Sequence, residues 1–211
     1  MSHAPAAQPP RRRGRPRRAD VADGTPATRE RILNSARAEF SERGYDKTSI
    51  RAIARGAEVD PALVHHYFGT KEQVFSAAVA LAAEPATRVL HSMQVCALDE
   101  FGEQFTRTFF RIWENPVTRS PLLAIVRSAV NNETAARIFR EFVTANLLSR
   151  VADGLGPDGR LRAELAAAQL VGVMMLRYVL RAEPVASTEA EVLIRRLAPV
   201  VQHHLAGAPF A

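Results

Sequence analysis

Two adjacent histidines, His65 and His66, stand in an otherwise apolar and aromatic run, Leu63-Val64-His65-His66-Tyr67-Phe68. Imidazoles can ligate a metal, move protons or hydrogen-bond to a polar surface. Neighbouring residues on a helix point about 100° apart, so this pair cannot easily chelate one ion, and no metal site is predicted. Cys96 is the only cysteine, which rules out an internal disulfide and a Cys-based zinc finger. Gly154, Gly156 and Gly159 spell G-x-G-x-x-G, but no strand precedes them and Pro157 lies within. A dinucleotide motif needs a strand–turn–helix setting, so this segment reads as a loop. No Ser/His/Asp or Cys/His set stands out. The expectation is neither an enzyme nor a cofactor-bearing protein.

The arginines carry a stronger signal. Residues 1–24 hold six of them against two aspartates, a balance of +4 in a chain whose net charge is +6. A basic arm of this kind suggests a polyanion partner. With four prolines and no apolar period, the arm reads as flexible. Its core, Arg13-Gly14-Arg15-Pro16, resembles an AT-hook, in which Arg-Gly-Arg lies in a narrow A·T minor groove. The alternative is a solvated tail with unspecific attraction to phosphate.

From Thr25 onward apolar residues recur at helical spacing, and no alternation is long enough for a strand. The predicted fold is all-α, with about ten helices. Thr25-Pro26 opens the first, with Ile32, Leu33, Ala36 and Phe40 buried and Gly44 ending it. Thr48 or Ser49 starts a short second helix. Asp60-Pro61 starts a third, ending near Tyr67-Phe68. Thr70 and Gln73 form a capping box for a fourth, expected to stop near Ala83 because Pro85 interrupts. Further helices are expected from there to Cys96 and over 99–115, 121–131, 132–152 and 160–181. Thr188 with Glu191 reads as a second capping box, opening a last helix that Pro199 kinks or ends. The longest apolar runs fall short of the ~18 residues of a membrane span. With no apolar leader at the N-terminus, a cytoplasmic protein without a membrane partner is expected.

The two short helices over 48–68 cannot be stable alone, so they must pack on each other and on the first helix. That is a helix-turn-helix whose second short helix is built to enter a major groove. The residues that compose it are Thr28-Arg29-Glu30-Arg31-Ile32-Leu33, Ala36, Phe40, Arg43-Gly44-Tyr45, Thr48-Ser49-Ile50, Ile53-Ala54, Val59 and Leu63 through Glu72. In register they resemble the DNA-binding domain of the TetR/AcrR family over about residues 25–75. The resemblance implies a homodimeric transcriptional regulator, usually a repressor, that a small molecule releases from double-stranded DNA. One position departs from the family pattern. Glu58 stands where a turn glycine is common, and a left-handed conformation there would cost about 1 kcal/mol relative to Gly.

Carried over residue by residue, the resemblance assigns DNA contacts to Thr48, Ser49, Arg51, Pro61, Ala62, Leu63, His65, His66, Tyr67 and Lys71; Arg13 and Arg15 are the contacts expected from the AT-hook-like arm. Pro61, Ala62 and Leu63 suit thymine methyls, Arg51 reaches backbone or base edges, and Lys71 suits a phosphate. The expected organisation is an arm (1–24), a helix-turn-helix domain (25–70) and a helical ligand-binding and dimerisation domain (71–211).

Phe101, Phe105, Phe109 and Trp113 recur every four residues and form one stripe of a helix. The stripe is either ordinary core or, with Met93, the lining of a pocket for a small apolar or amphipathic effector, as the family implies. His91, Gln94, Gln104 and Arg111 are candidates to orient a ligand there. Over 160–181 the apolar residues cover more than one face, and Gly172 sits mid-helix at a cost of ~1 kcal/mol against Ala. Leu165, Gly172 and Leu176, with Leu193 and Leu197 of the last helix, are therefore expected at a four-helix dimer interface. The rival reading is an architectural DNA-binding protein that uses the arm and has no effector.

Overall fold

The computed structural model describes residues 26–92, 100–153 and 155–206. Among them the chain forms ten α-helices and two π-helical segments, with no strand. The helices are α1 (Pro26–Lys47), α2 (Ile50–Gly56), α3 (Pro61–Phe68), α4 (Lys71–His91), α5 (Phe101–Glu114), α6 (Pro116–Asn131), α7 (Glu133–Val143), α8 (Ser149–Ala152), α9 (Gly159–Met174) and α10 (Ala190–Ala206). The π segments join α7 to α8 (Thr144–Leu148) and extend α9 (Met175–Leu180). The arm with Arg13 and Arg15, and Met93, Gln94 and Cys96, lie outside the described residues.

Local signals set several boundaries as expected. Gly44 has φ 74 and ψ 179 and breaks the helical run of α1. Ser49 caps α2, Asp60 caps α3 ahead of Pro61, and Thr70 with Gln73 forms the capping box of α4. Each cap satisfies amide donors that the first helical turn leaves open.

Two prolines do not act as expected, and a third does not end its helix. Pro85 lies inside α4, Pro121 inside α6 and Pro199 inside α10. A proline removes one hydrogen bond and clashes with the preceding turn. Here the flanking residues are deeply buried, Ala82, Ala83 and Ala86 about Pro85, Ala198 and Val201 about Pro199, and their packing offsets that cost. α6 starts five residues before Pro121, at a similar cap-and-proline pair. The Asn115 side chain accepts from Val117 N at 2.9 Å, and Pro116 follows. The expected Thr188–Glu191 box does not form. Thr188 Oγ1 donates to Pro184 O, and Glu191 pairs with Arg107 across to α5.

Two cores result. The first gathers α1 to α4 with Ile125 of α6 and Ala135 and Ile138 of α7. The second gathers α5, α9 and α10 around Phe110, Leu170, Met174 and Leu205. α4 contributes to both, through Val74, Phe75 and Val79 to the first and Ala86 to the second. α5 and α10 pack very closely at Gly102, where an added Cβ would fall 2.5 Å from Gln202 Cα. Arg162, buried on α9, donates to the carbonyls of Leu155, His204 and Leu205, and so serves the carbonyls that the end of α10 leaves open.

Candidate nucleic-acid interface

Two side chains of α1 and a glycine of α2 fix the angle at which α3 is presented. Ser35 Oγ of α1 donates to Ile53 O of α2 at 2.8 Å. A Cβ at Gly56 would fall 2.5 Å from that Ser35 oxygen, so glycine permits the close crossing. Arg31 reaches from α1 into the turn and donates to the carbonyls of Ala57 and Glu58. Ile53, Ala54 and Val64 fill the space beneath, each at most 1% exposed.

Glu58 has φ 55, the left-handed conformation that the family's glycine would adopt freely. Replacing Glu58 by Gly is expected to stabilise the fold by about 1 kcal/mol, part of it returned through the freer unfolded chain. A thermal melt checks this, and a melting temperature below the parent's would contradict it.

The outward face of α3 consists of Ala62, His65 and His66, all exposed. At 100° per residue they share an arc of about 100°. Pro61 and Leu63 flank this arc and are half-buried, with Leu63 packed on the first core. Arg51 of α2 is exposed, and so is Arg55 one turn later. Arg55 escaped the sequence reading, although its i,i+4 spacing from Arg51 marks the same face. Ser49 is exposed, with its hydroxyl engaged by Ala52 N at 3.1 Å.

Two residues assigned to DNA turn their oxygens inward instead. Thr48 is 2% exposed, and its hydroxyl donates to Gly44 O at 2.8 Å and Glu39 O at 3.1 Å. The break at Gly44 leaves carbonyls without helical partners, and Thr48 supplies the donor. Tyr67 is half-buried against the first core, and its hydroxyl is buried without a hydrogen-bond partner among the described residues. A motif match marks such positions without showing which way their oxygens point.

Lys71 lies over the Tyr45 ring, its Nζ 4.5 Å from the centroid, and donates to Asp46 O at 3.3 Å. Burial pushes the Lys71 ammonium below its ordinary pKa, and the Asp46 charge opposes that shift. The same corner is tied to the second half of the chain. Asn132 Nδ2 donates to the Asp46 carboxylate at 2.7 Å, and Arg137 of α7 pairs with Glu72 of α4 at 2.6 Å.

The aromatic stripe of α5 forms two stacked pairs, Phe101–Phe105 at 6.2 Å and Phe109–Trp113 at 5.9 Å between ring centroids. Phe105 and Trp113 are buried in the second core, while Phe101 and Phe109 are half-buried against it. Of the polar candidates, His91 and Arg111 are exposed. Thr87 of α4 was missed, and its hydroxyl is buried without a hydrogen-bond partner among the described residues. An apolar cleft lies elsewhere, between α1, α4 and α6, lined by Phe40, Phe75, Val79, Pro121 and Ile125.

α9 is apolar on two opposite faces. Ala163, Ala166, Leu170 and Met174 are buried in the second core. Half a turn away, Leu161, Ala168, Gly172 and Leu176 are exposed, and Leu165 is half-buried between them. Beyond its own stretch of helix, no described residue lies within 4 Å of a Cβ built on Gly172. Val200 of α10 is 41% exposed, while Leu193 and Leu197 pack partly on the second core. The two-faced pattern makes Gly159–Leu180 long and apolar enough, by length and composition, to cross a membrane. The sequence reading took only continuous apolar runs and so missed this. Arg162 and Arg177 within it are both engaged by protein groups.

Comparison with known proteins adds to this geometry. Residues 32–78 match the family described as bacterial regulatory proteins, tetR family, and residues 99–205 match the tetracyclin repressor-like C-terminal domain. A TetR-family regulator from Streptomyces coelicolor A3 is 38% identical, with 90% of this chain and 98% of that one covered and a TM-score of 0.63. The transcriptional regulator BetI of Rhizobium meliloti is 29% identical over 175 residues, 80% of this chain and 86% of its own. The multidrug binding protein EbrR, solved with imidazole, shares the fold at 19% identity, with 89% and 94% covered and a TM-score of 0.65.

Proposed function

Since the chain belongs to the TetR family of DNA-binding transcriptional regulators, we propose that it is a homodimeric repressor of a palindromic operator, released by a small apolar or amphipathic molecule. The observation that carries the dimer is the second apolar face of α9, with Leu161, Leu165, Gly172 and Leu176 on the side away from their own core. Packed about a two-fold axis with Leu193, Leu197 and Val200 of α10, that face forms a four-helix interface. Gly172 then allows the two copies of α9 to approach closely.

The function needs the dimer. Two recognition helices must meet half-sites about 34 Å apart, or a multiple of that, along the duplex. Arg51, Arg55 and Lys71 position α3 on phosphates, while Ala62, His65 and His66 read base edges. The effector site lies along the α5 stripe, with Phe101 and Phe109 as its apolar wall and the Thr87 hydroxyl as the polar group that orients the ligand. A ligand that binds better to the conformation with wrongly spaced recognition helices shifts the population off DNA.

Selection of bound duplexes from a random pool tests the reading. A regulator enriches a pseudo-palindrome and prefers it about 10³-fold or more over random DNA. Capture without any enriched sequence would leave an architectural DNA-binding protein instead. Removing residues 1–24 is expected to weaken binding and flatten its salt dependence. Each arginine that neutralises a phosphate contributes about 0.9 to the slope of log affinity against log salt. A slope unchanged by the deletion would show that the arm does not touch DNA.

A further inference from the structure

One polar atom on the outward face of α3 has its hydrogen-bonding role set by the backbone. His65 Nδ1 lies 2.9 Å from the carbonyl oxygen of Gly69. A carbonyl oxygen only accepts, so this bond requires the proton on Nδ1. In the neutral ring, Nε2 then carries a lone pair and no hydrogen. The direction of the Gly69 carbonyl is itself constrained. Gly69 has φ 80 and ψ −107, and an added Cβ would fall 2.2 Å from Gln73 Oε1. That oxygen is held in place by the α4 capping box, where it accepts from Thr70 N at 2.8 Å. The ring of His65 is exposed beside Ala62 and His66.

We propose that His65 is a specificity-determining residue that presents Nε2 as a hydrogen-bond acceptor in the major groove. It selects a base pair whose facing edge offers an exocyclic amine, adenine N6 or cytosine N4, at one position in each half-site. In the major groove adenine and cytosine offer donors, guanine offers N7 and O6, and thymine offers O4 and a methyl. An acceptor therefore pairs with the first two and is repelled by the others. The inference rests on the reading of α3 as the recognition helix.

Two measurements on the full chain test it. Long-range ¹⁵N–¹H correlation spectra of the free protein, with the ring neutral, are expected to show His65 protonated on Nδ1. A proton on Nε2 would overturn the assignment. Duplex selection from a random pool is then run with the parent, His65→Leu and His65→Lys, each first shown to melt like the parent. The parent is expected to enrich adenine or cytosine, by roughly tenfold, at one position per half-site. His65→Leu removes the acceptor and is expected to lose that preference alone. His65→Lys offers only donors and is expected to move it to guanine. If His65→Leu enriches the same operator with every preference intact, the assignment to His65 is wrong while the recognition helix stands. If the parent enriches no sequence, the recognition-helix reading falls and this inference with it.

Discussion

Replacing Leu176 by glutamate is expected to convert the protein to a monomer and to lower operator affinity by about 10³-fold, towards the unspecific level. Leu176 is 37% exposed in the single chain, on the face of α9 opposite Leu170 and Met174. A carboxylate there costs the isolated subunit little, because surface substitutions usually stay within about ±0.5 kcal/mol. In the dimer the same change buries a charge in an apolar contact, and two-fold symmetry imposes it on both subunits. Helicity and melting of the dilute monomer should therefore survive while assembly does not. Sedimentation at micromolar concentration reads the result directly, since the subunit mass is 23.2 kDa. Gly172→Leu should act the same way by filling the space between the two copies of α9. Val117→Glu is the control, because Val117 is 76% exposed on α6 and lies outside the interface. A Leu176→Glu protein that stays dimeric would refute the interface.

The second large effect concerns the α5 stripe. Phe105 is 7% exposed within the second core, so Phe105→Ala should cost about 3–5 kcal/mol through lost burial and the cavity left behind. For a chain of this length, about 2–4 °C accompanies each kcal/mol, so the melting temperature should fall by roughly 6–20 °C. Phe109 is only half-buried, and Phe109→Ala should cost less. If the stripe borders the effector site, Phe109→Ala changes the ligand response while operator binding by the free protein persists below the melting transition. A Phe105→Ala variant that melts within about 2 °C of the parent would remove Phe105 from the core. An unaltered ligand response in both variants would remove the stripe from the site.

The helix-turn-helix was legible because its determinants are local. Caps at Ser49, Asp60 and Thr70 act within three residues of themselves, and the apolar period shows which face is buried. The two-faced composition of α9 was legible for the same reason. Glu58 was identifiable because it stands where the resembled family commonly has a turn glycine, and the chain adopts the left-handed conformation there. Pro85 was misread because its local cost was weighed without the packing that outweighs it, and Pro121 because Asn115 and Pro116 offer the same kind of start five residues earlier. Pro85 sits among alanines that join α4 to both cores, and no window of neighbouring residues contains those partners.

The sequence by itself thus determined an all-helical chain, its helix-turn-helix and the surplus apolar face of α9. These follow from cap residues and from a period of 3.6, both properties of near neighbours along the chain. Only the tertiary structure decided where the polar atoms point. Thr48 turns to Glu39 and Gly44, Tyr67 sinks its hydroxyl against the first core, and Arg31 crosses to the turn. Asp46 receives Asn132 from 86 residues away. A hydrogen bond acts over about 3 Å and depends on direction, so its partner is set by how whole helices pack. No spacing along one helix encodes that.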